Sequence, residues 1–233
     1  MSIKKCIFGL NKIKLMFSLS EENYLKAIFH LETSYKSGVS TNALAEEMQT
    51  KASSVTDMVK RLSEKELVDY KKYQGVKLSD AGKKAAIAVI RKHRLWEVFL
   101  VEKLDFNWDE VHEIAEQLEH IKSERLTNEL DRFLEYPKRD PHGDPIPDAQ
   151  GNFSVANHQL LSGMEKGETG ICVGVKDSSV EFLQYLDKNQ ISLGKQINVI
   201  EKENFDHSML IEIDSNELRI SNQISSNLYI KTL

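Results

Sequence analysis

Residues 40–78, STNALAEEMQTKASSVTDMVKRLSEKELVDYKKYQGVKL, decide the reading of the fold. Ser40 is a hydroxyl that can cap a helix, and Leu44, Ala45 and Met48 follow at helical spacing, predicting a short helix over residues 41–48. A turn at residues 49–52 leads to a further helix over about residues 53–65, with Val55, Met58, Val59 and Leu62 on one face. Residues 67–73 and 76–78 predict two short strands joined by the turn at Gln74 and Gly75. Upstream, Ser18 and Glu21 form a capping box, and Tyr24, Leu25, Ile28, Phe29 and Leu31 supply an apolar stripe. Helix, short helix, turn, helix and hairpin in this order predict a winged helix-turn-helix.

A third helix of this kind fits the major groove of DNA with its polar face outward. That face offers Ser53, Ser54, Thr56, Asp57, Lys60 and Arg61. The hydroxyls and the carboxylate can reach base edges or phosphates, while Lys60 and Arg61 favour phosphates. In the wing, Lys71, Lys72, Tyr73 and Lys77 suit backbone contact. Asp57 has two readings: it accepts from cytosine N4, or it orients Arg61 four residues on, and the second is favoured.

Downstream, a long helix is expected from a Ser79 cap to about residue 104, then helices over residues 107–121 and 123–134. All four prolines, Pro137, Pro141, Pro145 and Pro147, fall in YPKRDPHGDPIPDAQGN, which reads as a boundary loop. After it come short β-rich runs (GICVGV, KQINVIEKE, SMLIEID, ELRIS, NLYIKTL) with one short helix near residues 179–187, the pattern of a small barrel or sandwich.

Composition bounds the function. The chain has 233 residues, 40% hydrophobic and 29% charged, with 11 Gly, which excludes collagenous, disordered and disulfide-scaffold classes. Two cysteines are too few for a disulfide framework or a Cys-based zinc site, so a reducing cytoplasm is expected. No apolar run approaches the roughly 20 residues of a spanning helix. The opening MSIKKCIFGLNKIKLMF mimics a weak signal peptide, but Lys12 and Lys14 interrupt it; it reads as an extension, with Met16 an equally good start. The net charge of -5 argues against indiscriminate nucleic-acid binding but hides a segregation. Residues 51–94 hold twelve Lys and Arg against five Asp and Glu, and residues 95–154 hold six against fifteen. A basic block suits a polyanion, and an acidic one suits cations.

Within the acidic block, His112, Glu116, Glu119 and His120 recur at i, i+4, i+7 and i+8, one continuous helical face. His93 and Glu97 repeat the i, i+4 spacing on the preceding helix. Two helices joined by a short loop pack antiparallel, so three imidazoles and three carboxylates can converge on a divalent transition ion. With no thiol in the set, Mn(II) or Fe(II) is favoured over Cu(I), while Zn(II) and Co(II) would also bind in vitro.

These strings (SEENYLKAIFHLE, SSVTDMVKRL, the wing, LSDAGKKAAIAVIRKHRLWE, VHEIAEQLEH and PHGDPIP) resemble the metalloregulator family of the diphtheria toxin repressor and the manganese transport regulator. The remainder resembles an SH3-like, FeoA-type domain. The resemblance implies a mainly α chain with a small β domain. Its parts would be a winged helix-turn-helix over residues 16–78, a helical metal-binding and dimerisation domain over 79–136, a Pro-rich linker over 137–158, and an SH3-like β-barrel over 159–233. It also implies a homodimer with two metal sites per subunit. His93, Glu97 and His112 match the ancillary site of the iron-responsive branch; Glu116, Glu119 and His120 match its primary site, completed from helix one. Glu116 stands where that branch has Cys and the manganese branch Glu. Asn23 stands where the iron branch has Met and the manganese branch Asp, and Lys26 replaces a second carboxylate, so the site is a hybrid. Glu181, with Asp177 as an alternative, lies near the position where longer members supply a further ligand.

The expected function is a cytoplasmic, metal-dependent repressor that senses Mn(II), with Fe(II) as runner-up, and binds a palindromic double-stranded operator at metal-uptake genes. No membrane and no organic substrate is expected. One alternative is a winged-helix regulator answering a non-metal ligand. A metal-dependent hydrolase is disfavoured: no nucleophile motif, phosphate-cradling Gly loop or His-Glu-x-x-His appears. The C-terminal module could also bind a Pro-rich segment such as the 137–147 loop.

Overall fold

The structure is a computed structural model that describes residues 17–35, 37–71, 74–154 and 158–233. The expectations for Lys72, Tyr73 and Met16 lie outside the described residues. The chain divides into two compact units, residues 1–83 and 84–233.

The first unit runs α1 (Leu19–Glu32), α2 (Thr41–Glu47), α3 (Ala52–Glu64), β1 (Val68–Lys71) and β2 (Gly75–Leu78). The capping box of α1 is formed: the Glu21 amide donates to Ser18 Oγ at 3.2 Å and the Ser18 amide to the Glu21 carboxylate at 2.9 Å. Ser40 Oγ takes the Ala43 amide at 3.0 Å and starts α2. The amphipathic faces then bury Leu25, Ile28, Leu44, Val55, Val59 and Leu62 completely. β1 and β2 pair antiparallel from Val68–Leu78 to Lys71–Gly75, and Val39 bridges Val76 on the hairpin's other edge. Gly75 holds φ +87° where a Cβ would meet the Val39 carbonyl at 2.8 Å, so this turn needs glycine. The winged helix-turn-helix is as expected.

α4 (Asp80–Leu104) follows, its Ser79 hydroxyl accepting the Gly82 amide at 3.1 Å. In the second unit come α5 (Val111–Leu118) and α6 (Glu124–Phe133). α5 is shorter than the periodicity predicts. The Asn107 backbone and side-chain amides both donate to Glu110, holding residues 107–110 in a turn, and Glu119 already caps the other end. Arg91 ties α4 to α6 through Asp131 at 2.7 Å and Asn128 at 3.0 Å. A small apolar core of Leu95, Val98, Leu130, Leu134 and Ile146 closes this helical part.

The Pro-rich stretch then leads to a six-stranded antiparallel sheet of order β3-β8-β4-β5-β6-β7. Its strands are β3 (Gln159–Leu160), β4 (Thr169–Val175), β5 (Gln196–Lys202), β6 (Met209–Ile213), β7 (Asn216–Ile220) and β8 (Leu228–Thr232). α7 (Val180–Lys188) closes one side of its core with Phe182, Leu183 and Leu186; α8 (Asn222–Ser225) is one turn. Of these elements β3 and α8 were not expected, being too short for a period to show. Among the described residues no helix is long and apolar enough to cross a membrane.

Candidate metal centre and nucleic-acid interface

The i, i+4 spacings on α4 and α5 do bring their imidazoles and carboxylates together. Glu97 is the hub, at 2% exposure. Its Oε1 lies 3.0 Å from His93 Nε2 and 3.4 Å from His112 Nδ1. The His93 and His112 rings meet edge to face with centroids 4.9 Å apart. His112 Nε2 is 3.7 Å from Glu116, and His93, His112 and Glu116 each offer a donor atom within 4.8 Å of the others. Fully buried Glu119 places Oε2 2.6 Å from His93 Nδ1, and His120 Nε2 is 3.8 Å from its Oε1. Both nitrogens of His93 are thus engaged by carboxylates. To ligate an ion it must exchange one of them.

A second group forms on the other oxygen of Glu97. His142 Nδ1 lies 3.6 Å from Glu97 Oε2, and Glu97, Asp140 and His142 offer donors within 4.8 Å of one another, all buried. The site assignment from sequence missed Asp140 and His142. Both sit in the Pro-rich loop, where no helical spacing links them to α4; only the repeated carboxylate and imidazole in RDPHGD hinted at them. Arg94 folds the loop inward: its guanidinium donates to the Pro145 carbonyl at 2.5 Å and lies 3.1 Å from Asp144 and 3.4 Å from Asp140. Asp140 Oδ1 takes the His142 and Asp144 amides at 2.9 Å each. The loop meets β4 where the Val175 amide donates to the His142 carbonyl at 2.9 Å. Beside it, Gly143 at φ +90° leaves no room for a Cβ, which would stand 2.3 Å from Gly174 Cα.

The electrostatics follow from this crowding. Burial alone would raise the Glu97 carboxyl, but hydrogen bonds from His112, His142 and His93 hold it well below the usual carboxylate range. For Asp140, burial and then the charges of Glu97 and Asp144 push the carboxyl up to about 7, against the pull of Arg94 and His142. Burial works against a charged His142, yet the hydrogen bond and charge of Glu97, then Asp140, push it up to about 9. The carboxylates take their countercharge from Arg94 and from protonated imidazoles. A divalent ion would replace those protons, so the donor set fits one.

Three other expectations fare differently. Asn23, in the first unit, has a buried side-chain oxygen with no hydrogen-bond partner. Glu181 is exposed in the first turn of α7, and Asp177 caps the Ser179 amide at 2.9 Å. Neither joins the two donor groups, so the structure does not bring Glu181 to the cluster.

On the first unit, α3 turns Ser53, Ser54, Asp57, Lys60 and Arg61 to solvent, and the hairpin exposes Lys71 and Lys77. Thr56 donates its hydroxyl back to the Ala52 carbonyl at 2.8 Å, which leaves only its oxygen lone pairs for a partner. Asp57 pairs with Lys60 at 3.8 Å rather than with Arg61, correcting the expected orientation role. That pair is mostly open to water and worth little, so both groups stay available.

Comparison with known proteins agrees with this layout. Family models match three consecutive parts: the iron dependent repressor N-terminal DNA binding domain over residues 16–76, its metal binding and dimerisation domain over 79–148, and a FeoA domain over 159–232. A solved structure titled manganese-dependent transcriptional repressor complex with manganese is 35% identical, covers 91% of this chain and 100% of its own, and superposes with a TM-score of 0.81. The chain belongs to the iron-dependent repressor family. That family is one of DNA-binding transcriptional repressors, not of enzymes. A solved structure titled ScaR with bound Zn2+ is 34% identical, with a TM-score of 0.74 over 91% of this chain and 99% of its own. The iron-dependent repressor IdeR of Mycobacterium leprae is 34% identical over 147 residues, 60% of this chain. The chain spans 63% of that repressor's length, and 30% of a 35% identical Chlamydia trachomatis protein named as a probable metal transport system membrane protein.

Proposed function

We propose that this family member is a metal-sensing, DNA-binding repressor in which Mn(II), ahead of Fe(II), is the signal. The observation that supports it most is the cluster around buried Glu97, where imidazoles and carboxylates from α4, α5 and the Pro-rich loop converge. Thiols are absent from it, and hard or borderline ions suit such oxygen and nitrogen donors. His93, His112 and Glu116 would hold one ion; Glu97, Asp140 and His142 would hold another. Glu119 and His120 stand beside the first group, and Asn23, whose buried oxygen lacks a partner, is the donor proposed from the first unit. A bound ion would supply the positive charge that lets buried Glu97 and Asp140 stay ionised.

The chain's residues divide the remaining work. Ser53, Ser54, Thr56 and Asp57 on α3 would meet base edges, and Lys60, Arg61, Lys71, Lys72 and Lys77 the phosphates. Leu104, Leu126, Phe133 and Tyr136 are exposed apolar groups on the helical part, and we assign them to the homodimer face. A two-fold dimer presents two α3 helices and so calls for a palindromic site, controlling metal-uptake genes. A full switch between weak and tight DNA binding needs about 5.5 kcal/mol of differential metal affinity.

The test selects duplexes from a random pool with Mn(II), then measures their affinity with Mn(II), with anaerobic Fe(II) and with chelator. A metal-dependent gain in wild type that Glu119→Ala abolishes is expected; equal binding with and without metal ends the proposal. A non-metal effector would show as indifference to chelator.

A further inference from the structure

His142 reaches Glu97 with one ring nitrogen and a backbone carbonyl with the other. Its Nε2 lies 2.8 Å from the Trp108 carbonyl, which can only accept, so Nε2 carries a proton. In the neutral ring the lone pair then sits on Nδ1, the atom turned toward Glu97. The tautomer and direction of His142 are therefore set by where the Trp108 carbonyl stands.

Trp108 lies in the turn between α4 and α5, and its placement comes from the C-terminal domain. Its indole N–H donates to Asp187 on α7 at 3.0 Å, and its ring packs against the core of the β domain. The indole stacks on the His142 imidazole, with centroids 6.2 Å apart and planes 17° apart. Next to it, Gln184 on α7 donates to Asp109 at 3.0 Å.

We propose that Trp108, clamped by Asp187, is a positioning residue for the metal cluster, so that metal affinity depends on a contact with α7 that touches no ligand atom. The proposal rests on the metal reading above. A partner that orients a ligating histidine is commonly worth tenfold or more in metal affinity. Loosening the indole frees the turn, and the carbonyl that fixes His142 moves with it.

The test is calorimetric titration of Mn(II) into the full chain without DNA, for wild type, Trp108→Phe, Asp187→Ala, Asp187→Asn and Glu97→Ala. Trp108→Phe keeps an aromatic ring but removes the N–H. Asp187→Ala changes one surface side chain, so a folded variant is available if Trp108→Phe does not fold. Expected is about tenfold weaker Mn(II) binding for Trp108→Phe and Asp187→Ala. Affinity should return toward wild type in Asp187→Asn, whose amide oxygen still accepts. Rescue by Asn separates positioning from general loosening, because both Asp187 variants lose the charge. If wild type binds Mn(II), Glu97→Ala does not, and Trp108→Phe and Asp187→Ala match wild type, the positioning role is overturned. Equal weakening in Asp187→Ala and Asp187→Asn overturns it too. If wild type itself takes up no Mn(II), it is the metal reading that fails.

Discussion

The two units place their candidate binding charges in opposite ways. In the winged-helix unit Lys60, Arg61, Lys71 and Lys77 point into water, where each is screened and separately replaceable. In the second unit Arg91, His93, Arg94, Glu97, Glu119, Asp140 and His142 are all buried, so each depends on the others. Exposed charge suits a long polyanion that many weak contacts hold. Buried charge suits a small, strongly charged ligand. The contrast predicts that single substitutions produce large effects in one unit and graded ones in the other.

The largest effect should come at the hub. Glu97→Ala removes a carboxylate of the second donor group that also holds both imidazoles of the first, and leaves three histidines short of an acceptor. Mn(II) affinity should fall by at least about 100-fold, measured by competition with a chelating dye. Retained affinity would mean that the two groups are not one cluster. Next is Arg94→Ala, which strips the Pro145 carbonyl and the two aspartates of their cation. It should cost about 2 kcal/mol in urea unfolding and weaken metal binding indirectly. Were it neutral, Arg94 would not be what folds the loop inward.

In the first unit Arg61→Ala should weaken binding to every duplex alike and reduce the salt-dependence slope by about 1. Sequence-selective loss would instead assign Arg61 to a base. The smallest effect belongs to Glu21, whose carboxylate meets Lys65 at 2.6 Å. Burial alone would raise this carboxyl, but the Lys65 and Ser18 hydrogen bonds hold it below its ordinary value. A carboxyl lowered by folding adds stability above its unfolded pKa, and that stability is lost as pH falls through the folded value. Glu21→Gln should therefore cost under about 1 kcal/mol at neutral pH, since Lys65 is partly open to solvent, and nothing once the pH lies below the folded value. Thermal melts across that range give the answer.

The same contrast explains what was legible beforehand. Caps and periods are local, so Ser18, Ser40 and Ser79 marked the helix starts, and the apolar faces of α1 and α3 followed. His93, Glu97, His112 and Glu116 were legible because they share helical spacings. Asp140 and His142 were not: a proline-rich loop has no period, and their approach to Glu97 depends on an arginine about 50 residues upstream. The start of α5 was hidden for a similar reason, since the Asn107 and Glu110 side-chain contacts compete with helix only once the turn exists. The choice of Lys60 over Arg61 by Asp57 is a matter of side-chain rotamers on an open surface, which no pattern encodes.

The glycine pair at the seam between loop and sheet has a further consequence. Gly143 and Gly174 touch backbone to backbone, with no space for even a methyl group on Gly143. A transplanted C-terminal domain bearing any side chain at position 174 would also press on the His142 carbonyl, 3.2 Å from where that Cβ would stand. Exchanging this module between relatives thus favours a donor with glycine at position 174, since any other residue there asks the loop that carries His142 to give by a few tenths of an ångström.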